Sequence, residues 1–248
     1  MPCTHRCMLD YAVLCIQRKT TRMKVLVIIP AYNEEACLEG AVNALTSTCP
    51  DVDYVIVNDG SSDRTAEIIR ERGFNGINLP VNTGLTSGFK AGMKYALRNG
   101  YDAAVQYDAD GQHLPTFIPT MAEALERGDA DIVIASRVLS GEAIGGLRGV
   151  GSKLISLLIR MTAHVSITDP TSGMRMYSSR MIKRFATSFD CAPEPDTIAL
   201  AARKGFKVIE IPAQMQERQG GESYLNISNA IGYMARTCLS ILMSCVLR

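Results

Sequence analysis

The segment AAVQYDADGQHLP, residues 103–115, joins a short apolar run to two aspartates that are one residue apart. If the run forms a β-strand, alternate side chains lie on one face, so Asp108, Asp110 and Gln112 can direct oxygen atoms toward one point. Carboxylate and amide oxygens are the ligands that Mg²⁺ and Mn²⁺ prefer. A polar turn after a strand is the alternative, because aspartate and glycine are common in turns. The segment alone slightly favours the turn, whereas its context in the chain favours the metal site.

The composition is typical of a globular protein with a sizeable core, since the chain has 248 residues of which 47% are hydrophobic. A formal net charge of +1 argues against a protein that binds nucleic acid by bulk electrostatics. The charge is uneven, because residues 137–184 include eight basic and two acidic side chains. This segment could face anions, and a solvated surface is the alternative.

The first 22 residues differ from the rest of the chain. They contain three of the eight cysteines and show no clear periodicity, whereas MKVLVIIPAYNEE, from Met23, is typical of a natural start. We therefore expect residues 1–22 to be an atypical extension, with a non-native origin as one interpretation. The cysteines form no CxxC pair, which favours a reducing, cytoplasmic location.

Short apolar runs alternate with helical patterns along the chain. Buried strands are predicted over residues 25–29, 54–57, 103–107 and 131–135, and helices over residues 34–46, 63–72, 85–99 and 115–127. Alternating strands and helices predict an α/β fold with a mostly parallel, Rossmann-like sheet flanked by helices. Ligands of such sheets bind beyond the carboxyl ends of the strands.

Polar clusters follow three of the predicted strands at those carboxyl ends: PAYNE (30–34), NDGSSD (58–63) and DADGQH (108–113). They are expected to line one crevice. No GxGxxG follows the first strand and no GxxxxGK[ST] occurs, so a dinucleotide-dependent enzyme or a P-loop ATPase is not expected. Gly84, Gly88 and Gly92 are four residues apart, a spacing that allows close helix packing.

Six motifs occur in one order along residues 24–224: VIIPAYNEE, VNDGSSDRT, DADGQH, ASR, DPTSGMR and ERQGGES. Together they resemble glycosyltransferase family 2, which has the GT-A fold, and are most similar to its dolichyl- or polyprenyl-phosphate sugar transferases. The resemblance implies a transferase domain over residues 23–224, followed by a C-terminal amphipathic helix over residues 225–248.

The resemblance also implies roles for particular residues on the donor side. Asp59 is expected to contact the base, although Asn58 stands where many members have a first aspartate. Asp108 and Asp110 correspond to the DxD motif and are expected to act in catalysis by binding Mg²⁺ or Mn²⁺, with Gln112 as a further metal contact. The rest of the nucleotide pocket is assigned to Pro30, Ala31, Tyr32 and Glu34.

Two kinds of acceptor have different requirements. A sugar hydroxyl needs a carboxylate as general base, for which Glu194, Asp196 and Asp169 are candidates. A phosphate monoester has its second pKa at about 6 and is already a nucleophilic dianion near neutral pH. It needs cations against charge repulsion, and arginine forks serve best.

The resemblance places four residues at phosphate-binding positions: Arg137, Arg148, Ser152 and Arg218. Arg175 is a fifth candidate. Asp169 is a catalytic candidate that either positions the acceptor or orients Arg175. Many relatives have a lysine after the serine of the last motif, whereas Tyr224 follows Ser223 here.

Two stretches are amphipathic. Residues 147–161 suit a helix at an anionic membrane surface, with an ordinary core-facing helix as the alternative. The C-terminal helix has an apolar stripe that indicates a peripheral anchor or a docking site for a membrane partner, with packing on its own domain as the alternative. Residues 237–247 are too few to span a bilayer. The stripe consists of Ile227, Ile231, Met234, Cys238, Ile241 and Cys245.

These observations predict an inverting glycosyltransferase that moves a sugar from a UDP- or GDP-sugar to a polyprenyl phosphate. It is expected to lie at the inner face of the plasma membrane, on the bilayer or on a small membrane protein, and without a nucleic-acid partner. A homo-oligomer is one option for its assembly. One alternative is a family 2 transferase that uses a glycan hydroxyl in cell-surface polysaccharide synthesis. The other is a non-catalytic module that binds nucleotide-sugars. The motifs do not specify the sugar or the nucleotide.

Overall fold

The computed structural model describes residues 23–128, 130–142, 144–216 and 227–247, of which residues 147, 148, 227–231 and 245–247 are described by their backbone alone. The strands are β1 (Val25–Ala31), β2 (Asp53–Asn58), β3 (Gly76–Asn78), β4 (Ala103–Gln106), β5 (Ile132–Ser136), β6 (Arg175–Ser178) and β7 (Val208–Pro212). The helices are α1 (Leu38–Thr48), α2 (Thr65–Glu71), α3 (Leu85–Arg98), α4 (Phe117–Arg127), α5 (Gly146–Ala163), α6 (Ser179–Thr187), α7 (Pro195–Arg203) and α8 (Ile227–Leu247).

The strands form one sheet in the order β3-β2-β1-β4-β6-β5-β7. Strand β1 runs parallel to β2 and β4, and β5 runs parallel to β7. Only β6, among the described strands, is antiparallel to its neighbours β4 and β5. The predicted α/β fold with a mostly parallel sheet is therefore confirmed.

Helices cover both faces of the sheet, which explains the continuous apolar runs of the central strands. Val27 and Ile29 point into one apolar core, whereas Leu26 and Ile28 point into the other. The first core also contains side chains of α1, α2 and α4, and the second contains side chains of α3, α5, α6, α7 and α8. The sheet thus holds the carboxyl ends of its parallel strands rigidly between two packed layers.

The first helix begins later than its sequence pattern predicts, at Leu38 rather than residue 34. Residues 35–37 form a turn and not helix, directly after the left-handed backbone of Asn33 (φ 56°). The backbone N–H groups of Glu34 and Glu35 donate instead to the side chains of Thr65 and Asp63, at 2.9 and 3.0 Å. Residues 32–37 are therefore a loop tied to the segment that follows β2.

The C-terminal helix α8 packs on α5 and α7, as the alternative interpretation of its stripe predicted. Ile241 is fully buried, and Cys238 and Met234 are partly buried. Ser240 Oγ donates to Asp196 Oδ2 at 2.5 Å, and Tyr233 donates its hydroxyl hydrogen to Glu194. In the described part of the stripe, these side chains face the domain itself, so the stripe is not a free anchor. The side chains of Ile227, Ile231 and Cys245 lie outside the described residues.

Across the described residues, no helix is both long enough and apolar enough to cross a bilayer.

Helix α3 lies directly against strand β1 because Gly92 has no side chain. A Cβ atom on Gly92 would come within 2.5 Å of Cγ2 of Ile28, which is fully buried. The expected use of this glycine in close packing is thus confirmed, whereas Gly84 precedes the helix and has a φ of 85°.

Gly92→Ala is expected to lower the free energy of unfolding by up to about 2 kcal/mol. Overpacking costs about 1–3 kcal/mol, which outweighs the gain of about 1 kcal/mol in helix propensity. Gly40→Ala in α1 is the matched control, because no atom lies within 4 Å of its Cβ position and only the propensity gain applies. Urea denaturation measures both changes. Equal stabilisation by the two substitutions would contradict the contact between Gly92 and Ile28.

Candidate active site

Several polar loops meet at one edge of the sheet, where β1, β2, β4 and β5 end. Because β6 is antiparallel, the loop that leads into it, residues 168–174, lies at the same edge. The three polar clusters predicted from the sequence are therefore joined there by Arg137, after β5, and by Asp169.

The loops after β1 and β2 are held together by a set of side-chain hydrogen bonds. Asn33 donates its N–H to Ser61 Oγ at 3.0 Å and accepts at Oδ1 from the N–H of Ser62 at 2.9 Å. Glu35 Oε2 accepts from the N–H of Arg64 at 3.0 Å. These bonds fix the segment that contains the predicted nucleotide-binding residues Pro30, Ala31, Tyr32 and Glu34, of which Tyr32 and Glu34 are partly exposed.

Asp59, the residue expected to contact the base, is almost buried and already holds the start of α3. Its carboxylate accepts from Thr83 N at 2.9 Å, Thr83 Oγ1 at 2.8 Å and Gly84 N at 2.7 Å. The next residue, Gly60, has a φ of 65°, and a Cβ there would lie 2.4 Å from the backbone of Val81. Residues 81–84 therefore pass close over the NDG turn and shape this side of the crevice.

The side chain of Asn58 both donates and accepts hydrogen bonds. Its Oδ1 accepts from Ser61 N at 3.1 Å and Ser61 Oγ at 2.5 Å, while its Nδ2 donates to Asn78 Oδ1 at 2.8 Å. An ionised aspartate has no proton for Asn78 Oδ1. The amide thus links the turn after β2 to strand β3.

Asp108 lies at the end of β4 and is oriented by three neighbours. Gln106 donates from Nε2 to Asp108 Oδ1 at 3.1 Å, and the N–H of Asp108 donates to His113 Nδ1 at 3.1 Å. His113 Nε2 is 3.7 Å from Asp108 Oδ2. A Cβ on Gly173 would lie 3.0 Å from Asp108 Oδ2, so the 168–174 loop touches this carboxylate closely. The side chain of Asp108 is nevertheless 35% exposed and accessible from the crevice.

Asp110 is 6% exposed and accepts at Oδ1 from the N–H of Gln112 at 3.0 Å. In the described residues, no three His, Cys, Asp or Glu side chains form a complete metal cage. Mg²⁺ and Mn²⁺ sites in enzymes of phosphate substrates commonly have one or two carboxylates, with substrate oxygens and water as the remaining ligands. The donor set of Asp108, Asp110 and Gln112 fits such an open site.

Asp169, within the 168–174 loop, forms a bidentate ion pair with Arg137. Arg137 Nε is 2.8 Å from Asp169 Oδ2, and Arg137 Nη2 is 2.8 Å from Oδ1. Asp169 is fully buried, and 25% of the Arg137 side chain is exposed. Burial alone would raise the pKa of Asp169, but the hydrogen bonds and charge of Arg137 outweigh it and hold that pKa below its usual value. Asp169 is therefore an ionised partner of Arg137, not of Arg175.

Ser152 and Thr171 extend this pair toward α5. Thr171 Oγ1 donates to Ser152 Oγ at 3.4 Å and accepts from Arg137 Nη2 at 3.1 Å. Ser152 projects inward from the helix and is 3% exposed. Two of the predicted phosphate-binding residues, Arg137 and Ser152, are thus brought together through Thr171.

Arg175 occupies a different position from the other arginine candidates. It is 2% exposed, and its guanidinium donates to the carbonyls of Ser172 and Pro170, each at 2.8 Å. This geometry makes Arg175 a residue that holds the 168–174 loop, and the expected contact with an acceptor phosphate is corrected accordingly.

Two further residues that were predicted to bind the acceptor phosphate have side chains that the structure does not describe. The side chain of Arg148 and the whole of Arg218 lie outside the described residues. Gln216, directly before the undescribed segment that includes Arg218, donates its N–H to the carbonyl of Gln112 at 3.0 Å. His113 and Met215 form an isolated β-bridge beside it. Residues 215–216 therefore lie beside the DADGQH loop.

Cavity size does not by itself locate this site. A cavity of about 440 Å³ lies near Met23, Asp102 and Ser178, at the opposite end of β4 from Asp108. A cavity of about 70 Å³ lies behind the DADGQH loop and is lined in part by Tyr107 and His113. The convergence of carboxylates and arginine, and not cavity volume, identifies the crevice.

Comparison with known proteins agrees with this arrangement. The model of the family "Glycosyl transferase family 2" matches residues 26–186. The chain belongs to glycosyltransferase family 2.

Three known proteins show how close the similarity is. Polyprenol monophosphomannose synthase of Mycolicibacterium smegmatis is 32% identical over 219 residues, covering 83% of this chain and 82% of that protein. Undecaprenyl-phosphate mannosyltransferase of Micrococcus luteus is 32% identical over 218 residues, covering 82% and 88%. Glucosyl-3-phosphoglycerate synthase of Mycobacterium tuberculosis, solved with Mn²⁺, UDP and phosphoglyceric acid, has a TM-score of 0.69 at 17% identity, covering 92% of this chain and 80% of that chain. This last likeness confirms the GT-A-like fold.

Sequence reasoning missed two residues that shape the site of this family 2 glycosyltransferase. Gln106 donates a hydrogen bond to Asp108. Its polar side chain in an otherwise apolar strand was the feature of the sequence that could have predicted a role in the site. Thr171 lies within the DPTSGMR motif, but its bridge between Arg137 and Ser152 depends on contacts distant in the sequence. His113 is buried and accepts a hydrogen bond from the backbone of Asp108.

Asp169→Asn is expected to lower the free energy of unfolding by about 3 kcal/mol at pH 7, because it leaves Arg137 without its charged partner. The pKa of Asp169 is lower in the folded state, so the stabilisation is complete above the unfolded pKa of about 3.9 and is lost as the pH falls through the folded value. The difference between wild type and variant should therefore shrink below about pH 4. Denaturant titrations at pH 7 and below pH 4 measure it.

Glu123→Gln is the control, because it breaks the exposed pair of Glu123 with Arg127. Its effect should stay below about 1 kcal/mol. If Asp169→Asn changed stability no more than this control, the buried ion pair would not hold the loop.

Proposed function

We propose that this glycosyltransferase moves a sugar, with inversion, from a nucleotide-sugar to the phosphate of a polyprenyl phosphate. An oxygen of the acceptor phosphate forms a bond to the anomeric carbon of the sugar. The bond from that carbon to the donor diphosphate breaks, and its electron pair leaves with the nucleoside diphosphate. No oxidant or additional reactant is needed.

This proposal rests on the hydrogen-bond partners of the three carboxylates that could act as a general base for a hydroxyl acceptor. Asp169 is paired with Arg137, Asp196 accepts from Ser240, and Glu194 accepts from Tyr233. Burial raises the pKa of Glu194, but α8 covers the residue through this contact. Each candidate base thus has at least one carboxylate oxygen bonded within the protein, which supports an acceptor that needs no base. A phosphate dianion meets this condition.

Arg137 and Ser152 support the same conclusion from the acceptor side. Arg137 is positioned by Asp169 and partly exposed, so its guanidinium can face an anion while remaining anchored. The 168–174 loop that contains Asp169 also lies close to Asp108, at Gly173. We assign Arg137, Ser152, Arg148 and Arg218 to the acceptor phosphate, the last two from the resemblance alone.

On the donor side, Asp108, Asp110 and Gln112 would hold Mg²⁺ or Mn²⁺. The bound cation would stabilise the negative charge that develops on the departing diphosphate. Gln106 and His113 keep the carboxylate of Asp108 oriented, and the clamped loops after β1 and β2 would bind the nucleotide through Pro30, Ala31, Tyr32, Glu34 and Asp59. The carboxylate of Asp59 already accepts hydrogen bonds from Thr83 and Gly84. Asp59 would therefore contact the base with the edge of its carboxylate, or it would act by positioning residues 82–84.

The relatives support the class of acceptor more than the sugar. Their names include mannose, 4-deoxy-4-formamido-L-arabinose and N-acetylglucosamine, and each also includes a polyprenyl, undecaprenyl or dolichyl phosphate. A lipid phosphate acceptor requires the enzyme to work at a bilayer. We therefore propose peripheral association with the cytoplasmic face of the membrane.

The test is transfer of radiolabelled sugar from a panel of UDP- and GDP-sugars into an organic-extractable polyprenyl phosphate. Label should enter the lipid fraction with Mn²⁺ or Mg²⁺ and not with EDTA. Asp110→Asn is expected to reduce transfer at least about 100-fold, or about 2.7 kcal/mol of transition-state stabilisation, because a metal ligand is weakened.

Asp102→Asn is the matched control, since Asp102 is an exposed carboxylate directly before β4, at its other end. It should retain transfer within about threefold of wild type, because it lies away from the site. Label found only in water-soluble glycan would favour the hydroxyl acceptor. Donor binding without any transfer would favour the non-catalytic module.

A further inference from the structure

Helix α5 exposes an apolar surface to solvent instead of burying it. The exposed fractions are 67% for Val150, 47% for Leu154, 50% for Leu157 and 64% for Met161. In the described residues, seven of the thirteen exposed large hydrophobic side chains lie on α5 or on its neighbour α8. Those on α8 are Leu239, Leu242 and Met243.

The exposed side chains of α5 form three parallel rows, because residues seven apart lie nearly one above the other on a helix. Val150 and Leu157 form the central row, and Leu154 and Met161 form the row on one side. Lys153 and Arg160, both exposed, form the row on the other side. The opposite face of the helix is buried through Ile155 and Ile159. We call this apolar and basic surface the α5 face.

We propose that the α5 face docks the enzyme on a bilayer that contains anionic lipid. The inference deepens the proposed function, on which it rests, by naming the surface that brings the site to its lipid acceptor. An apolar stripe beside a basic row is the pattern of helices that lie in the interface of anionic membranes. The long stems of Lys153 and Arg160 can lie along the apolar surface while their charges reach lipid phosphates.

The charge pattern argues against a second copy of the chain as the occupant. No acidic residue occurs in residues 143–168 or in α8. In a two-fold dimer through this surface, Lys153 and Arg160 would meet a surface whose helices offer only further positive charge. Anionic headgroups complement both the basic row and the apolar rows.

The position of α5 relative to the site agrees with this role. The inward face of the same helix supplies Ser152, which is bonded to Thr171 beside the Arg137–Asp169 pair. A phosphate headgroup held near Ser152 would have its hydrocarbon chain close to the helix that enters the bilayer. One helix therefore serves both the acceptor phosphate and the membrane.

The test is flotation of the full chain with phosphatidylcholine vesicles that contain or lack phosphatidylglycerol. Wild type should float with the anionic vesicles, and added salt should weaken binding. Leu154→Gln with Leu157→Gln should reduce partitioning by about tenfold or more, because buried apolar area is lost. Lys153→Gln with Arg160→Gln should reduce it by about 25-fold, since each basic residue near an anionic surface contributes about fivefold.

Leu97→Gln with Phe189→Gln is the matched control, because both side chains are exposed and lie outside α5 and α8. It should bind as wild type, and all variants should keep the wild-type melting temperature. Failure of wild type to float, or equal binding by the Leu154 and Leu157 double variant, would overturn the proposal. So would self-association of wild type that this double variant abolishes without any vesicle binding.

Failure of the docking surface and failure of the proposed function give different results. Transfer by wild type to a short-chain, water-soluble polyprenyl phosphate needs no bilayer. If that transfer occurs and flotation fails, only the docking surface is wrong. If flotation follows the pattern above and no transfer occurs, the α5 face stands as a membrane surface, and the proposed reaction fails.

Discussion

The buried ion pair between Arg137 and Asp169 fixes the loop on which both sides of the candidate site depend. Arg137 reaches Asp169 from the end of β5, and Arg175 holds Pro170 and Ser172 from the start of β6. In the loop held in this way, Gly173 lies close to the carboxylate of Asp108. Because β6 runs antiparallel between β4 and β5, this loop lies at the same edge of the sheet as Asp108 and Asp110, the predicted metal ligands. A shift of the ion pair would therefore move the donor side and the acceptor side together.

This arrangement would accommodate two phosphate groups of like charge in one crevice. A cation bound by Asp108, Asp110 and Gln112 would neutralise the donor diphosphate. The exposed part of Arg137 would face the acceptor phosphate. Asp169 ensures that Arg137 stays in place but also cancels part of its charge, so further cations are needed. The basic segment around α5 and the motif that contains Arg218 could supply them. The same helix offers an apolar face to the membrane, which links lipid binding and phosphate binding in one element.

Much of the fold could be predicted because the central strands are buried on both faces and appear as plain apolar runs. The positions of Asp108, Asp110 and Asp59 followed from the strand ends alone. Strand β6 was not predicted, because its four residues begin with Arg175 and show no long apolar run. The pairing of Asp169 with Arg137 spans 32 residues and depends on that strand, so local pattern reasoning could not find it. The late start of α1 depends likewise on contacts of residues 32–37 with the loop after β2, and the two faces of α8 could not be distinguished by hydrophobicity alone.

The most direct test of the account is ³¹P NMR of the acceptor during turnover. With wild type, a divalent cation, the donor and a short-chain polyprenyl phosphate, the monoester resonance of the acceptor should be replaced by a phosphodiester resonance as nucleoside diphosphate accumulates. This result would show that the acceptor phosphate itself is the nucleophile, as the engaged carboxylates around the site predict. A monoester resonance that persists while nucleoside diphosphate is released would contradict the account, because the sugar would then have gone to water or to a hydroxyl.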